Sequence, residues 1–263
     1  MQVPRVILKE DTLDRRNAEF EQAPLRDTLF LNSIPKSGSH LMKNIMRMFV
    51  PVAQQYKADF IQYPNLQQHH HALMARPALM SWGHLLFADN SSKLLRNARH
   101  ILLVRDPYDW VLARARFFLS ENFQAGLDDI KSGRVAVEDF INMMIFGVHG
   151  RFPNMHEIYL NNAVAWLGTQ AQVVHYETLI RNVLDLDGDA ADKFFGDLLE
   201  TAGIDRPRDW RERVRAGSDR SQSGTARENL DLQDISLPAR LSDTQRKLVD
   251  FASPGLRGLL GYS

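Results

Sequence analysis

The chain has 263 residues, with 32 lysines and arginines balanced by 32 aspartates and glutamates, so its net charge is zero. That balance excludes a general nucleic-acid binder, which carries a basic excess, and any anion site must therefore be local. Cysteine is absent, which excludes disulfides, thiolate catalysis and cysteine-ligated metals and fits a reducing cytoplasm, the location expected here, and no apolar run reaches the roughly 18 residues of a membrane span.

In chain order, Met1 to Asp27 is charged and lacks the apolar core of a secretory signal. It reads as a polar lead-in with one short apolar piece, Val6-Ile7-Leu8, before a single domain over 28–263. The apolar run Leu29–Ile34 reads as the first strand. It is joined to an amphipathic stretch with apolar residues at Leu41, Met42, Ile45, Met48 and Phe49, which has helical spacing. The junction carries Ser33, Pro35, Lys36, Ser37, Gly38, Ser39 and His40. Exposed N–H groups at a helix N-terminus, a cation and hydroxyl donors together make an anion cradle, so a phosphorylated or sulfated nucleotide is the expected ligand. The loop is not a Walker A loop, because Lys36 precedes Gly38 rather than following the last glycine. Read more simply, it is a polar strand-to-helix turn with a serine N-cap.

Further strands are expected at Ala78–Trp82, His100–Arg105 and Ala171–Tyr176. Between the first two lies the run His69-His70-His71. Adjacent residues rarely converge on one centre and no companion carboxylate spacing is present, so no metal site is expected. Pro107 suits the first turn of a helix continued by Val111, Leu112, Ala115, Phe118 and Leu119. Helices are also expected over Met155–Leu167, over Ala190–Ala202 with Gly203 as C-cap, and over Thr244–Phe251 and Gly255–Leu260. The stretch Arg206–Asp231 is rich in Arg, Ser and Asp and reads as a long loop of the kind used as a lid or binding segment. Alternating strands and helices predict an α/β domain, with a central mostly parallel sheet flanked by helices on both faces and ligands at the C-terminal strand ends.

Four segments taken together resemble the PAPS-dependent sulfotransferases of the cytosolic type. Pro35-Lys36-Ser37-Gly38-Ser39 is similar to their 5′-phosphosulfate loop. The strand ending in Arg105-Asp106-Pro107-Tyr108-Asp109 resembles their 3′-phosphate motif. His84 lies 21 residues before Arg105, close to where the family keeps its catalytic histidine. Tyr176-Glu177-Thr178-Leu179 resembles the family's Tyr-Glu-Asp-Leu. Arg220 to Arg227 looks like a degenerate form of the C-terminal loop that closes over the nucleotide.

The resemblance implies a P-loop-like fold, with 3′-phosphoadenosine 5′-phosphosulfate (PAPS) as donor and PAP as product, no metal, and a small-molecule hydroxyl or amine as acceptor. It implies that Lys36 stabilises the leaving phosphate and that Pro35 to His40 cradle the 5′-phosphate. Arg105 would hold the 3′-phosphate, His84 would act as general base, and Tyr176, Arg220 and Arg227 would help to bind the nucleotide. Plainer roles stand beside these: a solvated lysine, an ion pair of Arg105 with Asp106 or Asp109, a core histidine at 84, packing for Tyr176 and Trp82, and surface arginines at 220 and 227. The family's serine eight residues after the arginine is Ala113 here, so either that contact is lost or Arg114 or another donor replaces it. The alternatives are a nucleotide-binding domain without chemistry, or a P-loop-type kinase. Acceptor walls are expected from Gln54–Pro77, Phe117–Arg151 and Arg206–Asp231, with a small or medium hydrophobic alcohol as the acceptor. Nothing in the sequence sets an oligomeric state.

Overall fold

The structure is a computed structural model that describes residues 5–6, 10–120, 122–124, 134–223 and 236–262. In chain order its elements are β1 (Arg5–Val6), α1 (Leu13–Asn17), β2 (Leu29–Ser33), α2 (Ser39–Arg47), β3 (Ile61–Gln62), α3 (Leu66–His69), β4 (Met80–His84), α4 (Asp89–Leu95), β5 (Arg99–Val104), α5 (Pro107–Leu119) and β6 (Phe123–Gln124). They continue with α6 (Val137–Phe146), α7 (Met155–Asn162), β7 (Gln172–His175), α8 (Tyr176–Leu184), α9 (Asp189–Thr201), α10 (Trp210–Ser218), α11 (Asp243–Ala252) and α12 (Leu256–Leu259). Among the described residues, no helix is long and apolar enough to cross a membrane.

Five strands form one sheet in the order β3-β4-β2-β5-β7, and every neighbouring pair is parallel. β1 and β6 make a separate antiparallel ribbon. The sheet has α/β character because its strands bury both faces. Leu29, Leu31, Ile101 and Leu103 point to the core shared with Met42, Ile45, Phe195 and Trp210. Phe30, Leu102 and Val104 point the other way, to a core with Trp110, Phe140, Tyr159 and Trp166. This is the period of two expected of strand side chains.

β4 begins two residues later than its composition suggests, because pairing sets its limits: Leu29 lies opposite Met80 and Asn32 opposite Gly83. Asn32 is the one polar residue inside β2 besides Ser33. Its Oδ1 accepts from the Ser33 and Leu85 N–H groups, and its Nδ2 donates to the Leu85 carbonyl. That amide fixes the end of β4 beside the end of β2. The Met155–Leu167 helix stops at Asn162 and gives way to a tight turn at Val164–Trp166.

The expected long loop at 206–231 contains a helix, α10, followed by a turn at Arg220–Gln222. Charge masked it. Arg211, Arg213 and Arg215 pair with Asp192, Asp209 and Asp187, while Trp210, Val214 and Gly217 form the buried stripe. Gly217 lets α10 seat directly on α2: a Cβ there would stand 2.5 Å from the Ile45 Cα and 2.6 Å from the Asn44 carbonyl oxygen.

Candidate functional site

The parallel strands deliver their C-terminal ends to one edge. Ser33, His84, Arg105 and Tyr176 sit at or just past those ends, and the Ile34–Gly38 turn leaves the central strand there. The turn is held from beneath by the Trp110 indole N–H, which donates to the Pro35 carbonyl. Two consecutive left-handed turns shape it, at Lys36 (φ 68°) and at the helix N-cap Gly38 (φ 92°). Gly38 is required twice over, since a Cβ there would also come within 2.4 Å of the Tyr176 ring. The Ser37 N–H is used within the turn, on the Ile34 carbonyl. The Ser37 side chain is fully buried, with no partner for its Oγ among the described residues. Gly38, Ser39, His40 and Leu41 instead line a cavity of about 350 Å³. They are the first residues of a helix, where backbone N–H groups have no intrahelical acceptor.

Lys36 and His84 are close to apolar surface, and this dominates their ionisation. The Lys36 ammonium lies 2.9 Å from the centroid of the Phe117 ring, and burial pushes its pKa down to about 7. Burial likewise pushes His84 down to about 3, against the smaller upward effect of its bond to Ser33, with the Lys36 charge lowering it further. The His84 Nδ1 is 2.8 Å from the Ser33 carbonyl oxygen. A carbonyl only accepts, so Nδ1 carries the proton and Nε2 is left with its lone pair. The Ser33 hydroxyl bridges 3.1 Å to the same Nδ1 and 2.7 Å to the Ser39 hydroxyl, tying histidine to loop. His40, also buried, is pushed down to about 3 by burial and then by Lys43 and Lys36.

Arg105 does not pair with either nearby aspartate. Asp106 is taken by Arg257, whose Nε and Nη2 reach its two carboxylate oxygens at 3.1 and 2.9 Å. Arg105 instead stacks over Tyr176, 4.4 Å from the ring centroid, and touches the Lys36 carbonyl at 3.4 Å through Nη1. Its Nε is buried with no partner among the described residues. Glu177 explains the residue after Tyr176: it accepts from the Asp106 N–H at 3.0 Å and from the Tyr262 hydroxyl at 2.9 Å, clamping the ends of β5 and β7 together.

The cavity that holds Lys36 and the α2 N-terminus also has Arg105, Tyr176, Ala113, Arg116, Asn44 and Arg220 in its wall. A second cavity, of about 380 Å³, lies beside it, lined by Pro35, Tyr63, Leu86, Trp110, Phe118, Phe152 and Ile158 among others. Only Lys36 and His84 border both. Helix α5 divides them. Ala113, Arg116 and Phe117 face the polar cavity, while Trp110, Arg114 and Phe118, at i, i+4 and i+8, face the apolar one.

No protein-family model matches the chain and no curated protein matches it by sequence. Among solved structures, mouse sulfotransferase SULT7A1 complexed with PAP is similar over 94% of this chain and 91% of that one, with a TM-score of 0.58 and 14% identity.

The chain has a sulfotransferase fold.

Within that fold, Pro35, Lys36, Gly38, Ser39, His40, His84, Arg105, Tyr176 and Arg220 all lie around the two cavities. Ser37 lies beneath the loop, and Arg227 lies outside the described residues. Arg114 does not stand in for the serine missing at Ala113, since it faces the other cavity; Arg116 is on the side of Ala113. Trp82 borders neither cavity and packs in the core. His69 is engaged by the Tyr56 hydroxyl and Asp59, and among the described residues no group of three His, Asp or Glu is placed to hold a metal. The segment around α10 borders the polar cavity, not the apolar one. Residues that the sequence does not single out complete the walls: Asn44, Arg116 and Phe152. Asn44 and Arg116 follow from helical spacing behind the loop and Ala113, whereas Phe152 arrives by tertiary packing alone.

Proposed function

We propose that the chain is an enzyme that transfers a sulfonate group from PAPS to a hydroxyl or amine of a small acceptor. The junction carries the reading: the two cavities share one cation, Lys36, and one neutral imidazole, His84. The wall of the polar cavity suits a bisphosphorylated nucleotide. It has a buried guanidinium N–H at Arg105 with no partner among the described residues, and Lys36, Arg116 and Arg220 set three more cations against the single carboxylate of Asp219. The structural neighbour was solved with PAP. When bound, the donor supplies the activated sulfonate.

Each residue then has a task. Arg105 presents a guanidinium edge to the 3′-phosphate, a geometry suited to bidentate contact. Gly38 to Leu41 offer N–H groups to the 5′-phosphate, with the helix dipole adding to their effect. Lys36 lies where charge grows on the departing phosphate oxygen, and a compact ammonium is suited to that position. His84 Nε2 takes the acceptor's proton as its oxygen attacks sulfur. The ring starts neutral, and the anionic donor favours the imidazolium that forms. Ser33 holds the ring through its carbonyl and hydroxyl, so the tautomer is fixed before any ligand arrives. Sulfonate transfer resembles phosphoryl transfer in depending on positioning and electrostatics more than on covalent help from the protein.

The test is binding followed by transfer. PAP at 1 mM should raise the melting temperature by linkage, with ATP and magnesium giving a smaller shift. Radiolabelled sulfonate should then pass from PAPS to members of a phenol and alcohol panel. An unchanged melting curve with PAP would overturn the reading.

A further inference from the structure

The apolar cavity contains one feature that a purely hydrophobic acceptor does not explain. Arg114 is buried, with 3% of its surface exposed, and it lines this cavity together with Lys36. No aspartate or glutamate lines the cavity, and among the described residues no carboxylate pairs with Arg114. Its Nη1 donates to the Met144 carbonyl at 2.9 Å and its Nη2 to the Pro153 carbonyl at 2.8 Å. Aromatic faces surround the guanidinium: Trp110, Phe118 and Phe152 have centroids 5.1, 5.5 and 5.4 Å away. Two of five N–H groups are thus used by protein carbonyls. Burial lowers the pKa only to about 10, so the charge is present at neutral pH. Buried charges are normally paired, and the walls around this one supply no anion.

We infer that Arg114 is a specificity residue and that the acceptor is a hydroxyl-bearing carboxylic acid, its carboxylate meeting the Arg114 guanidinium and its hydroxyl meeting His84. The inference rests on the sulfotransferase reading of the two cavities. Position on the helix sets the spacing. Trp110 is bonded to the catalytic loop at Pro35, and Arg114 lies four residues, just over one turn, further on, about 6 Å along the axis. An acceptor with its hydroxyl and carboxylate at opposite ends, such as a para-substituted phenolic acid, can meet both residues at once. A volume of about 380 Å³ is near the lower end for ligand pockets and suits one or two rings. The rings of Trp110, Phe118 and Phe152 supply flat walls for such a body.

The experiment is calorimetric titration of the PAP-loaded protein at pH 7 with 4-hydroxybenzoate and with its neutral isostere 4-hydroxybenzamide. The acid should bind at least tenfold more tightly. In Arg114→Met the preference should shrink below threefold while PAP affinity changes by less than threefold, and Arg114→Lys should keep part of the preference. Equal binding of the two ligands by the wild type, binding of neither, or a preference that survives Arg114→Met would overturn the inference and leave Arg114 as a clamp on the 144–153 segment. These outcomes leave the sulfotransferase reading standing, since PAP binding is measured first in the same cell. A protein that takes no PAP overturns both.

Discussion

On one side of helix α5, Ala113, Arg116 and Phe117 border a cavity walled by four cations, the Asp219 carboxylate and the free end of a helix; on the other, Trp110, Arg114 and Phe118 border a cavity lined mainly by rings and aliphatic side chains, with Gln62 and Asn162 among them. Much of the polar cavity, Lys36 to Leu41, His84, Arg105 and Tyr176, lies where parallel strands end, so backbone topology brings those pieces together. The apolar one is assembled from residues of several separate segments, around 35, 62–64, 84–86, α5, 152–153 and α7. On the first side the anion-binding groups are backbone N–H groups and strand-end side chains, set by the chain path itself. Side-chain packing decides the second, so its chemistry is free to vary while the fold stays the same.

The comparison can be broken at the residues that belong to both sides. His84→Asn keeps a side chain that can still donate to the Ser33 carbonyl but offers no basic nitrogen. Transfer should fall by about 10²–10⁴-fold, with PAP affinity within threefold of wild type by calorimetry. An equal loss of binding would place His84 in the donor site instead. Lys36→Met should lower the transfer rate by about 10²–10³-fold in single-turnover assays. It should also raise the melting temperature of the ligand-free protein, because a desolvated ammonium is replaced by an apolar chain of similar length.

The sign of the pH dependence follows from Lys36. Its pKa in the free protein is pushed down to about 7 by burial, and the anionic ligand needs the charged form. PAP affinity should fall by up to about tenfold per unit above pH 7, until the lysine in the complex itself titrates. The fall should be absent in Lys36→Met.

Acid stability is a smaller and more general effect. His40, His84 and His100 are each pushed from 6.5 to about 3, with burial as the first cause. Below about pH 6.5 the unfolded chain binds protons at these sites that the folded chain does not, so stability is present above that pH and is lost as pH falls toward 3. Up to three protons should be taken up on unfolding at pH 5, measured as the slope of stability against pH. His100 has both ring nitrogens buried without partners among the described residues and packs between Phe30 and Trp166. His100→Phe should therefore remove one proton from that slope with little loss of stability at pH 7.

The same contrast explains what was legible in the sequence. The strand at Leu29, the loop through Lys36 and Gly38, and the Pro107 helix start are local features, dictated by apolar runs, left-handed turns and a fixed proline φ. Helix α10 was hidden because its arginines satisfy aspartates at its own N-cap and on neighbouring elements, and only Trp210, Val214 and Gly217 betray its apolar buried stripe. Ser37 reads as a ligand by its place in the motif, yet the turn folds its side chain under the loop. The division of α5 between two cavities needs the helix phase and the position of the loop at once, so Arg114 and Arg116, two residues apart, could not be assigned to opposite sides from sequence.

The central claim is that Lys36 and Arg105 grip a nucleotide phosphorylated at both ends. Its most direct measurement is calorimetric titration with PAP against adenosine 5′-phosphate, which lacks the 3′-phosphate, in wild type and Arg105→Met. The account expects PAP to bind at least about tenfold more tightly, as a charge-assisted bidentate contact implies, and that advantage to vanish in the variant. Equal affinities in the wild type, or a PAP advantage untouched by the loss of Arg105, would contradict it.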